Sequence, residues 1–124
     1  MRKARWVFGA AGIVGLLILL PNYFLFERVG RDYPPTITHP EYFYGFLGLG
    51  IAWQVTFLVI ARDPVRYRVF MIPAVLEKFS FGIMALVLLA QQRIPGPALA
   101  GGILDLVCGV LFLVAFWRWT PPVR

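Results

Sequence analysis

The chain has one cysteine, Cys108, one histidine, His39, and only six acidic residues among its 124. A lone cysteine excludes an intrachain disulfide, and its apolar surroundings read as those of a small core thiol. A single histidine excludes a chelating histidine pair within one chain, and a bis-histidine haem would need His39 from two copies. No zinc spacing, glycine-rich phosphate loop or Ser-His-Asp set can be assembled, because Gly45, Gly48 and Gly50 fall inside an apolar stretch as packing residues. No metal or cofactor is therefore expected, and the chain reads away from soluble-enzyme chemistry.

What is present is apolar: 60% of residues are hydrophobic and 15% charged, with a mean hydropathy of +0.75. A bilayer-spanning helix needs about 20 predominantly apolar residues, and four such stretches fill nearly the whole chain. The expected fold is all-α: an integral-membrane, up-down four-helix transmembrane bundle forming one domain over 1–124. Its spans are expected at approximately 4–26, 41–61, 67–90 and 97–117. The net charge of +6 lies beside those spans, where it orients a chain against anionic lipid, so the partner expected is the bilayer and not nucleic acid.

The basic start through Arg5 is also what a signal peptide would carry. Pro21, Asn22, Tyr23 and Phe24 stand where small residues would mark cleavage, so a retained helix is expected. Thr38, His39, Pro40 and Glu41 fit a capping box that opens the second span, with Thr38 as cap and Glu41 reaching back. Arg62, Asp63 and Pro64 end that span in a tight turn. Pro73 falls inside the third span and is expected to free the carbonyl of Val69. The turn Pro95, Gly96, Pro97 precedes the fourth. Between the first two spans, Glu27 to His39 reads as an ordered turn, a short cap over the outer mouth or a flexible linker.

Arg2, Lys3, Arg5, Arg62, Arg66, Arg68, Arg118 and Arg124 fall on one side of this arrangement; Arg28, Arg31 and Arg93 fall on the other. The positive-inside rule then places both termini in the cytoplasm. Tyr23, Tyr42 and Tyr44 at the outer boundary, and Trp6, Tyr67, Trp117 and Trp119 at the inner, fit aromatic belts.

Four polar residues remain within the spans: Gln54, Glu77, Lys78 and Asp105. An ionisable group near the bilayer centre costs about 2.5–3.5 kcal/mol on insertion scales, so these side chains are expected to face the bundle. At 1.5 Å per residue, Gln54 lies about 12 Å deep, Glu77 and Lys78 about 14–15 Å, and Asp105 about 20 Å. Gln54 is expected to meet Glu77 and Lys78. Asp105 leans away from Lys78, which leaves a direct pair and a water-filled gap as open alternatives. With three charges of unequal sign, one of the two acids is expected to be protonated. Phe70, Ala74, Glu77, Phe81 and Met84 form the expected inner stripe of the third span, with Lys78 on its border beside Met71 and Gly82. Ala98, Gly101, Gly102, Asp105, Cys108 and Gly109 form the small-residue face of the fourth, and Ala11, Gly12 and Gly15 that of the first. Such faces also leave room for a homodimer.

The four-span plan, the stretch from His39 to Gly50 (HPEYFYGFLGLG), the turn from Arg62 to Arg68 (RDPVRYR) and the Glu77-Lys78 pair resemble small bacterial membrane proteins of the DoxX-like kind. That resemblance implies a multi-pass protein of the bacterial inner membrane, and some of that family are membrane partners of oxidoreductases. Three functional readings follow. Gln54, Glu77, Lys78 and Asp105 line a site for a lipophilic small molecule or a partner membrane protein, making the chain a binding or accessory subunit. Alternatively, the acids serve a small proton-coupled transporter, or a membrane isomerase acting on an apolar substrate. Against all three stands simple polar cohesion between helices, worth about 1–2 kcal/mol per contact.

Overall fold

A computed structural model describes residues 1–123; Arg124, counted above with the basic residues of one side, lies outside them. It is all-helical, with no strand among the described residues. Four helical stretches are long and apolar enough to cross a membrane: Arg2–Phe24, Pro40–Arg62, Arg68–Ala90 and Gly96–Trp119.

The first stretch is α1 (Arg2–Leu19) tightened into a 3₁₀ turn at Leu20–Phe24. Pro21 stands at the start of that turn, where its missing N–H breaks the α-helical ladder. The Asn22 amide donates back to the Ile18 carbonyl at 2.7 Å. A short helix, α2 (Phe26–Asp32), follows, so much of the segment read as turn, cap or linker is helical. Tyr23 and Phe26 stack on Tyr44 at ring separations of 5.8 and 5.6 Å, binding this end of the first stretch to the next helix.

The second stretch, α3 (Pro40–Arg62), begins one residue later than the capping box requires. His39, not Thr38, is the cap residue, with no side-chain bond to the helix backbone. Glu41 faces the His39 ring at 3.1 Å instead of reaching back to a backbone amide. Proline at the first helical position is sufficient here, since its absent N–H would have had no partner anyway. At the other end Asp63 accepts the Arg66 amide at 3.2 Å, closing the tight turn around Pro64.

A 3₁₀ turn at Arg68–Phe70 precedes α4 (Met71–Ala90). This corrects the expectation for Pro73. It occupies the third position of α4, within the first turn where amides have no helical acceptor, so it removes no hydrogen bond. The Met71 amide is shared between the carbonyls of Arg68 and Val69. Helix α4 ends in a Schellman arrangement in which the Arg93 amide reaches the Leu88 carbonyl and that of Gln92 reaches Leu89. Gln92 takes the left-handed conformation, φ 57°, that this cap demands. The last stretch is a 3₁₀ turn at Gly96–Ala98, then α5 (Leu99–Val114), then a π-helical turn at Ala115–Trp119.

Two hairpins result. Helix α1 packs along α3, and α4 along α5. Glycine allows both close approaches: a Cβ on Gly12 would stand 2.8 Å from the Gln54 carbonyl and from Leu58, and one on Gly102 would stand 2.5 Å from the Ala85 Cβ. The small-residue face of the fourth stretch therefore does seat against the third, through Gly102 and Gly109.

The hairpins meet each other chiefly at the end that carries the termini. The buried core there is Ala4, Phe8, Phe57, Ile60, Met71, Ala74, Phe112 and Ala115. Phe8 stacks on Phe112 at 4.1 Å, and Phe57 meets Phe112 edge-on at 4.9 Å, so three rings tie both hairpins together. Arg68 adds a polar clamp. Its guanidinium donates to the carbonyls of Phe116, at 2.9 Å, and Thr120, at 3.1 Å, while lying 3.8 Å over the Phe116 ring.

Candidate functional site

Beyond that aromatic tie the hairpins leave a cavity of about 760 Å³ between them. All four polar residues singled out in the sequence line it. The observed buried face of α4 is Met71, Ala74, Lys78, Gly82 and Ala85, which corrects the expected stripe: Lys78 is at its centre, and Phe70, Phe81 and Met84 are exposed. Glu77, one residue before, consequently stands at the edge of that face, on the cavity wall.

Lys78 organises the cluster. It is 7% exposed, and its Nζ lies 3.3 Å from Asp105 Oδ1 and 3.6 Å from Glu77 Oε2. The direct Lys78–Asp105 pair therefore forms; the outward lean of Asp105 does not part it from Lys78. The same ammonium stands 5.1 Å over the Phe57 ring. Phe57 is thus shared between the aromatic tie and the polar cluster, and the cluster forms a floor directly upon the core. The carboxyl groups are less enclosed: the side chains of Glu77 and Asp105 keep 23% and 18% exposure.

Gln54 departs from expectation. It is 3% exposed, and its Nε2 donates to the Gly50 carbonyl one turn back at 3.0 Å, with no hydrogen bond to Glu77 or Lys78. Its Oε1 instead fills the space over Gly15 of α1 that a side chain there would need. No hydrogen bond among the described residues reaches that oxygen, nor Glu77 Oε2, whose contact is the 3.6 Å ion pair with Lys78. Both oxygens are buried in the packing and are not part of the open cavity surface.

The walls are apolar. Val14, Ile18, Phe46, Phe81 and Leu104 line the cavity and are also exposed at the molecular surface. The cavity therefore opens sideways along the spans. Val29 of α2 and Asn22 line it as well, which the sequence did not flag because neither stands out in an apolar or extramembrane context. No group of three or more His, Cys, Asp or Glu side chains among the described residues is placed to hold a metal ion. An apolar chamber with a few convergent polar groups at one level is the usual form of a small-molecule site. No family model matches the chain, and neither a curated protein nor a solved structure matches it.

Proposed function

We propose that this is a multi-pass protein of the bacterial inner membrane that binds a lipophilic small molecule between its two hairpins. The observation that carries the reading is the cavity: apolar walls open toward the side, and a polar floor of Gln54, Glu77, Lys78 and Asp105. Simple cohesion between helices is served by the Lys78–Asp105 pair alone. It does not call for a chamber of this size, nor for a second carboxyl, that of Glu77, on its wall. A side opening suits a ligand that arrives from the hydrocarbon phase, with its apolar body against the walls and a polar head on the floor. The excess of Lys and Arg at the end carrying the termini supports cytoplasmic N- and C-termini, and the DoxX-like resemblance is consistent with a bacterial origin and an accessory role.

The test is gentle purification of the wild-type chain and of a Lys78→Met variant from native membranes, followed by mass spectrometry of retained molecules. A lipophilic compound retained at a fixed ratio by the wild type and at a clearly altered ratio by the variant is the expected result. If neither retains one and the variant differs from the wild type only in stability, the polar residues are helix cohesion and the reading is wrong.

A further inference from the structure

The chemistry of the floor narrows the ligand, an inference that rests on the binding reading above. Glu77 and Asp105 bring two carboxyl groups to the cavity wall, and each side chain keeps part of its surface open. Lys78 and Gln54 are buried. The polar groups open to a ligand are therefore acceptors.

Charge points the same way. One ammonium, Lys78, faces two carboxyls, Glu77 and Asp105, and is shared between them. Among the described residues, the only other titratable side chain lining the cavity is Cys108. A carboxylate or phosphate head placed here would meet acceptors and excess negative charge in a low-dielectric site. A hydroxyl would satisfy one acceptor and leave the charge unbalanced. A protonated amine satisfies both demands, and it supplies the second positive charge that the two carboxyls would otherwise draw from a proton.

We propose that the ligand is a lipophilic amine, its ammonium head donating to the carboxyls of Glu77 and Asp105 and its apolar body lying against Val14, Ile18, Phe46 and Phe81.

The test uses the full-length chain in nanodiscs of zwitterionic phosphatidylcholine, with empty nanodiscs subtracted. Four probes share one chain length: dodecylamine, dodecyltrimethylammonium, dodecanol and dodecanoate. Binding is read from tryptophan emission, with Trp6 on the cavity wall. Dodecylamine is expected to bind tightest, about tenfold or more over dodecanol and dodecanoate, the ratio of one charge-assisted hydrogen bond. Dodecyltrimethylammonium, with the charge but no N–H, is expected to fall between dodecylamine and dodecanol. Glu77→Gln should lower amine affinity about tenfold and dodecanol affinity by much less. Equal binding of amine and alcohol, tighter binding of dodecanoate, or an unaltered amine affinity in Glu77→Gln overturns the amine assignment while the cavity reading stands. No saturable binding by any probe overturns both. Should Glu77→Gln fail to assemble, the wild-type series decides alone.

Discussion

The side-chain oxygen of Gln54 occupies the space over Gly15 that a methyl group at position 15 would fill. Because the obstacle is the far end of a flexible side chain, Gly15→Ala is expected to displace Gln54 from the cavity floor while leaving the α1–α3 packing in place. Stability should change by less than about 1 kcal/mol, the range of a substitution whose neighbour can yield. Thermal unfolding, compared with the wild type, checks this outcome.

Gly12 and Gly102 behave differently, because the atoms a Cβ would strike there are rigid. At Gly12 the obstacle includes the Gln54 backbone carbonyl, and at Gly102 the Cβ of Ala85. Gly12→Ala and Gly102→Ala must therefore push helices apart, and each is expected to destabilise by about 1–3 kcal/mol. Unfolding by denaturing detergent, compared with Gly15→Ala, measures the difference; equal effects at all three glycines would contradict this geometry.

Removing Lys78 leaves Glu77 and Asp105 facing each other without their shared cation. Lys78→Met is expected to destabilise by about 2 kcal/mol or more, as loss of one member of a buried charge group does. The triple variant with Glu77→Gln and Asp105→Asn should recover most of that loss, because neutral groups no longer repel. A double-mutant cycle across Lys78 and Asp105 gives the coupling directly; a coupling near zero would mean the 3.3 Å contact does not hold the helices.

Arg68 is a planar clamp and not merely a boundary charge. Lysine at that position keeps the charge but loses both the two-carbonyl geometry and the stacking on Phe116. Arg68→Lys is expected to destabilise by about 1–2 kcal/mol, nearly as much as Arg68→Ala, as judged by thermal unfolding.

Gln92 stands at φ 57°, a conformation glycine adopts without steric penalty. Gln92→Gly is expected to stabilise the α4–α5 hairpin by about 0.5–1 kcal/mol, visible as a higher midpoint in the same denaturation series.

Hydropathy and the Pro and Gly punctuation made the four long helices legible, because both act locally. The polar residues were legible as a group for the same reason: any ionisable side chain in an apolar run must find partners. Their pairings were not. Depth counted from the helix ends treats the spans as parallel rods of uniform rise, yet a 3₁₀ turn before α4 and a π-helical turn after α5 alter both the rise and the facing of Lys78 and Asp105. Pro73 misled for a related reason, since the apolar sequence gives no sign that the third helix restarts at Met71. The capping role of Arg68 depends on a carbonyl 48 residues away, and nothing local announces it. Gln54 turned to Gly50 and Gly15 because its own helix and a glycine groove lay nearer than the charges it was expected to join.

The position of the aromatic tie has a mechanical result. Phe8, Phe57 and Phe112 fasten the hairpins near one end of helices that run 23 residues in the first three stretches, about 34 Å at 1.5 Å per residue. Each hairpin is thus a lever pivoted close to its foot. The opposite tips lie about 25 Å from the rings, so a relative tilt of about 1° there displaces them by about 0.4 Å. The bore of the chamber is accordingly governed by how three phenyl rings and one guanidinium seat against each other, at a distance from anything the chamber holds.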